Sequence, residues 1–222
     1  MKGGALEGWV KICGIRTVSD AGLCFDAGAD AIGINLWPGS PRSVSLGEGS
    51  RIAEAVRDRG TIVGVTVDAS PEEVAAIFEA MAPDFIQLHG DEEPGPTEGV
   101  RERVYKAVGL GSAQDVTVAK GWPGPFVLVD ARDEVARGGT GRAPPGSLAA
   151  EVCGHRPTVL AGGLNPQNVG AAIRSLRPAG VDTASGVETA PGVKCPDKVR
   201  RFVAAAREAF MEISPASTRH NP

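Results

Sequence analysis

Residues 61–89 read TIVGVTVDASPEEVAAIFEAMAPDFIQLH. The opening run, Thr61–Val67, is β-branched at every position but Gly64 and carries no charge, as suits a strand buried on both faces. Ser70-Pro71 then supplies a side-chain cap followed by proline at the first helical position, which predicts a helix over Pro71–Ala80. DFIQLH (Asp84–His89) is a second short apolar run. A strand, a capped helix and another strand in so short a stretch imply parallel strands joined by a right-handed crossover.

The same alternation extends in both directions. WVKI, ADAIGIN, RVYKAVG, PFVLVD, PTVLAG and GVDTAS are further strand candidates, eight with the two above. Helical patterns lie between them at Val18–Ala27, Gly47–Arg59, Pro145–Cys153, Pro166–Ser175 and Pro196–Met211, and Asn165-Pro166 repeats the cap-then-proline signal. Eight such units in 222 residues are what a closed (β/α)8 barrel, a TIM barrel, requires. An open doubly wound sheet would have fewer strands and a GxGxxG fingerprint after the first, which ICGIRT lacks. The chain is expected to be one barrel domain over 1–222, with a short N-terminal extension (1–8) and a disordered tail (213–222).

Composition narrows the function classes. With 23 basic and 27 acidic residues the net charge is −4, so no basic footprint for nucleic acid exists. No apolar run approaches the roughly 18 residues of a membrane span, and MKGGALEG lacks the apolar core of a secretory leader, so a cytoplasmic protein is expected. Four scattered cysteines without a CxxC pair, and only three histidines, argue against a metal centre and against disulfides.

Polar residues interrupt the strands in a pattern. Residues two apart share a strand face, so Val10 and Ile12 face one way and Lys11 and Cys13 the other. Likewise Gln87 and His89 oppose Ile86 and Leu88, and Asp130 ends FVLVD in phase with Leu128 and Phe126. Asn35, Lys106 and Asp182 also interrupt or end strands. Taken singly, each has an ordinary explanation. An isolated cysteine packs as a small apolar residue, a strand-end aspartate caps a turn, and Gln87 with His89 can form a satisfied polar layer. Together they predict a polar mouth at the C-terminal end of the barrel, where enzymes of this fold keep their sites.

Three glycine-rich turns follow the last three strands: RGGTG (Arg137–Gly141), AGGLN (Ala161–Asn165) and ASGVE (Ala184–Glu188). Glycine lets backbone N–H groups approach an oxyanion, so the trio predicts a phosphate cradle. WPGSPRSVS (Trp37–Ser45) offers Arg42 in a proline-stiffened loop, either as a carboxylate-binding fork or as a solvated side chain.

From KICGIRTVSDA through GADAIGINLWPGSPRSVS, IQLHGDE, VLVDARDEVARGGTGR and LAGGLNPQNV to VDTASGVETAPGVK, roughly residues 10 to 205, the chain resembles phosphoribosylanthranilate isomerase of tryptophan biosynthesis. The resemblance implies a cofactor-free Amadori rearrangement of a small phosphosugar, with oligomeric state open between monomer and homodimer. Carried onto matching positions, Cys13 would be the general base, Asp130 the general acid, and Arg42 the holder of the anthranilate carboxylate. Gly139, Gly141, Gly162, Gly163, Ser185 and Gly186 would lie in phosphate-binding turns, and Asp182 would line the sugar site. Lys11, Gln87 and His89 are placed beside the substrate by their strand faces, and Lys11 is expected to help ionise the Cys13 thiol. Two positions depart from the family pattern: Asn35, where apolar or aromatic residues are usual, and Ala131, where serine or threonine often stands. The histidine-pathway isomerase of the same chemistry uses aspartate where Cys13 stands, and ribulose-phosphate epimerase needs metal-binding histidines absent from this chain. A non-catalytic phosphosugar binder would need neither Cys13, Asp130 nor Arg42.

Overall fold

A computed structural model describes residues 6–93, 95–131 and 146–214. Eight strands close into a barrel in chain order: β1 (Trp9–Cys13), β2 (Ala31–Asn35), β3 (Thr61–Thr66), β4 (Phe85–Leu88), β5 (Val104–Leu110), β6 (Val127–Ala131), β7 (Thr158–Leu160) and β8 (Gly180–Thr183). Every neighbouring pair is parallel, and β1 pairs with β8 to complete the ring. The helices described around it are α1 (Val18–Asp26), α2 (Leu46–Val56), α3 (Pro71–Met81), α4 (Ala113–Gly121), α5 (Gly146–Cys153), α6 (Val169–Leu176) and α7 (Pro196–Ile213). None of them is long and apolar enough to cross a membrane.

All eight expected strands form, and the helices begin where capping chemistry is explicit. Ser70 accepts from the Glu73 backbone N–H while Glu73 reaches back to the Ser70 N–H, and Ser45 and Glu48 do the same at α2. The structure differs from expectation in four places. Asn165-Pro166 does not start α6, because Asn165 Oδ1 accepts from Gln167 N and Asn168 Oδ1 accepts from Asn165 N, closing a turn that delays the helix to Val169. Helix α4 has little apolar periodicity and was not expected; its cap is Ser112, whose hydroxyl accepts from Asp115 N. The β4–β5 connection holds 3-10 turns over Gly95–Arg103 in place of an α-helix. Finally, Ile213, assigned to the tail, is the last residue of α7.

The two strand faces build two cores. Outward residues such as Val10, Ile12, Ile32, Ile34, Ile62 and Ile86 pack beneath the helices. Inward residues fill the barrel in layers, and the layer near the N-terminal ends of the strands is aromatic. Phe126 lies at its centre, with ring centroids 5.8 Å from Trp9, 5.4 Å from Phe85 and 4.4 Å from Tyr105. Leu6 joins this inner cluster from the N-terminal extension. The aromatic layer shuts the barrel at that end and leaves the C-terminal mouth open to a ligand. Phe126→Ala should cost about 3–5 kcal/mol of stability in urea unfolding, the range for removing a fully buried ring.

Candidate active site

Strand alternation turns Lys11 and Cys13 inward, as expected, and register then selects their neighbours. Lys11 on β1 lies beside Asp182 on β8, and Gln87 on β4 beside Tyr105 on β5. The Lys11 ammonium, fully buried, donates to Asp182 Oδ1 at 3.0 Å and to Gln87 Oε1 at 3.2 Å. Tyr105 donates its hydroxyl to the same Gln87 oxygen at 2.9 Å. Gln87 Nε2 meets His89 Nδ1 at 3.0 Å, and His89 Nε2 lies 3.7 Å from Asp130 Oδ2. The strand next to β1 must be bare here: a Cβ on Gly33 would fall 2.7 Å from the Cys13 sulfur and 3.1 Å from the Lys11 ammonium.

Lys106 does not belong to this layer. Its strand neighbours Tyr105 and Ala107 point inward, so Lys106 points outward, where it donates to Gly90 O and Glu92 Oε2 at 2.6 Å each and lies over the Trp122 ring.

Above the polar layer a cavity of about 530 Å3 opens at the mouth, lined by Cys13, Arg42, Gln87, His89, Asp130 and Asp182 together with the turns after β7 and β8. Cys13 ends β1 and Asp130 lies in β6, so β7 and β8 stand between them on one side of the ring. Lys11 does not reach the cavity; it lies beneath, holding Asp182 and Gln87. Gly162 and Gly163 line the wall with φ of +87° and +67°, a backbone region that favours glycine. Asn168 steadies this turn by donating its side-chain amide to Gly163 O at 2.9 Å. Ser185 also lines the cavity, whereas Gly186 sits under the Leu164 carbonyl, too close for any side chain. Asn35 also lines the cavity and accepts from Trp37 N. Gly139 and Gly141 lie outside the described residues.

Arg42 is not a solvated loop residue. Its guanidinium grips Glu188 through Nε–H to Oε1 at 2.9 Å and Nη2–H to Oε2 at 2.8 Å. Gly14, with φ +75°, lies directly beneath it, and a Cβ there would fall 2.6 Å from Arg42 Cδ. Glu188 opens the first strand of a small hairpin, Glu188–Ala190 with Val193–Lys194, that follows β8. Lys194 Nζ, also buried, donates to Glu188 Oε1 at 2.8 Å, to Cys13 O at 2.6 Å and to Ala184 O at 3.2 Å.

The family model described as N-(5'phosphoribosyl)anthranilate (PRA) isomerase matches residues 10–205. The chain belongs to this isomerase family. N-(5'-phosphoribosyl)anthranilate isomerase of Magnetococcus marinus is 40% identical over 200 residues, which cover 90% of this chain and 95% of the relative. The crystal structure of phosphoribosyl anthranilate isomerase from Thermotoga maritima superposes with a TM-score of 0.83 at 35% identity, over 90% of this chain and 98% of that one. A phosphoribosyl anthranilate isomerase in complex with reduced 1-(o-carboxyphenylamino)-1-deoxyribulose 5-phosphate gives a TM-score of 0.79, with the same identity and coverage.

Glu188 and Lys194 are residues of this isomerase fold that strand-by-strand reading passed over. They lie beyond the last barrel strand, and their one sequence signal is the acidic and basic pair in GVETAPGVK (Gly186–Lys194). The electrostatics also revise the expected role of Lys11. Burial pushes the Cys13 thiol above its ordinary value and Asp182 pushes the same way, while Lys11 and Lys194 pull it down without reversing the shift. Burial alone would depress the Lys11 ammonium, but Asp182, Cys13 and Tyr105 hold it above the usual lysine range. Lys11 therefore limits the rise of the thiol without making it acidic. Because the thiolate is what alkylates, Cys13 should react more slowly at neutral pH than an exposed cysteine. In Lys11→Met the midpoint of its pH–alkylation profile, followed on the Cys13 peptide by mass spectrometry, should move higher still; an unchanged or lower midpoint contradicts this account.

Proposed function

We propose that the chain catalyses the isomerisation of N-(5-phosphoribosyl)anthranilate to 1-(2-carboxyphenylamino)-1-deoxyribulose 5-phosphate, a step of tryptophan biosynthesis, as proton transfer between Asp130 and Cys13. Family membership over residues 10–205 supports the reaction. The observation that carries the assignment of roles is that Cys13, Arg42 and Asp130, which lie on three separate elements, converge on one cavity with the glycine turns. In this scheme Asp130 gives its proton to the ribose ring oxygen, and the furanose opens to a Schiff base. Cys13, as thiolate, takes the proton from C2, and the resulting enolamine tautomerises to the ketone. Apart from the ring C–O bond, which breaks with its electron pair passing to oxygen as C=N forms, each step is a proton transfer, and an acid and a base standing apart across the mouth suit that task.

The remaining groups bind. Backbone N–H groups of the Gly162-Gly163 turn, with Ser185, are the described part of the phosphate site, in the position after strands seven and eight where barrels of this kind hold phosphate. Arg42 takes the anthranilate carboxylate. Its grip on Glu188 holds the side chain in place beforehand, so little rotamer freedom is lost on binding. Asp182, on the cavity floor, faces the sugar hydroxyls.

Decay of phosphoribosylanthranilate fluorescence tests these roles. Cys13→Ala and Asp130→Asn should each lower kcat by at least ~100-fold, the lower range for general acid–base catalysis, with circular dichroism unchanged. Near-normal turnover in either variant removes that residue from the mechanism. Arg42→Ala should act mainly on binding, raising KM by about 10-fold or more through loss of the charged N–H donors that Glu188 leaves to the substrate.

A further inference from the structure

A line of hydrogen bonds runs from the barrel floor to His89, beside Asp130, and chemistry sets the direction of each. Gln87 Oε1 accepts from both the Lys11 ammonium and the Tyr105 hydroxyl. An ammonium offers no acceptor, so a flipped amide would set N–H against N–H, and the side chain has one orientation. Gln87 Nε2 therefore faces His89 Nδ1, 3.0 Å away. An amide nitrogen only donates, which makes Nδ1 the unprotonated, accepting nitrogen. A neutral ring then carries its proton on Nε2, the atom 3.7 Å from Asp130 Oδ2. Burial, and after it Lys11 and Lys106, bring the imidazole pKa down to about 4, so the ring is neutral at physiological pH.

We propose that Gln87 is a positioning residue that holds His89 as its Nε2–H tautomer, so that this hydrogen meets the Asp130 carboxylate formed when Asp130 gives its proton to substrate. The inference rests on the assignment of Asp130 as acid. His89 keeps its proton throughout and acts as a donor to negative charge that develops in the reaction. A neutral donor is suited to this. An imidazolium in the same place would hold Asp130 ionised beforehand and remove the acid, whereas a neutral N–H interacts strongly only once charge appears on the oxygen. The separation of 3.7 Å is longer than a hydrogen bond and leaves that interaction to be made during turnover.

Nitrogen-15 NMR of the imidazole rings in the full chain reads the tautomer without turnover, with the His89 signals identified by their loss in His89→Asn. The expected result at neutral pH is Nε2 protonated and Nδ1 in the unprotonated range; protonated Nδ1 in the wild type overturns the assignment to Gln87. Gln87→Glu leaves an acceptor for Lys11 and Tyr105 but puts an accepting oxygen against His89, so Nδ1 gains a proton. kcat should then fall about 10-fold or more while KM moves less than about 3-fold. Wild-type kcat in Gln87→Glu with Nδ1 protonated overturns the catalytic purpose. Asp130→Asn separates the two layers: normal turnover there overturns the acid and with it the purpose given to His89, whereas the wild-type tautomer judges Gln87 independently.

Discussion

The Lys11 ammonium sits inside the barrel with no access to solvent, and the arrangement above it follows from what that charge requires. A buried cation is tolerable only when paired and hydrogen-bonded. Asp182 meets the first demand, delivered by strand register from β8, and Gln87 meets the second from β4 across the barrel interior. Beneath the ammonium the barrel is aromatic and closed, and above it the cavity begins. Lys11 is thus the boundary between the part of the interior that folds the protein and the part left for a ligand. It also ties three strands that carry cavity residues, β1, β4 and β8, into one rigid floor.

That floor explains why the cysteine and the histidine differ in what their surroundings do to them. Burial raises the thiol and lowers the imidazole, because each loses its charged form. Lys11 works against burial at Cys13 and with it at His89. The result is a ring held neutral and a thiol that keeps its proton until the medium or a bound substrate draws it off. A thiol of this kind becomes a stronger base once ionised, though less of it is ionised at a given pH, a balance suited to abstracting a carbon-bound proton from an activated intermediate.

Much of this was legible in the order of residues because a strand's period of two is rigid. Once Val10 and Ile12 are taken as outward, Lys11 and Cys13 have nowhere else to point, and the same holds for Gln87, His89 and Asp130. Lys106 shows the limit of polarity without parity: a polar residue in a strand points to the mouth only on the inward face, and on β5 that face belongs to Tyr105 and Ala107. Helix α4 escaped because a Ser-x-x-Asp cap without an apolar stripe is a weak local signal. Glu188 and Lys194 escaped for a different reason. Their significance is wholly tertiary, since a hairpin after the last barrel strand folds back to touch the end of the first, and no spacing rule relates residue 194 to the Cys13 carbonyl.

Arg42 carries the same lesson into the chemistry. An arginine in a proline-stiffened loop is ambiguous on sequence, and its fork is engaged here by Glu188, whose charge Lys194 shares. Burial works against the Glu188 carboxylate, yet Arg42 and Lys194 together hold it below the usual glutamate range, so the carboxylate stays ionised. The lysine of that triad also donates to the backbone carbonyl of Cys13, which links Arg42 to the residue assigned as base through three polar contacts. The four residues KICG then have separate tasks. Lys11 anchors the floor, Ile12 packs outward under the helices, Cys13 faces the cavity, and Gly14 makes room for the arginine.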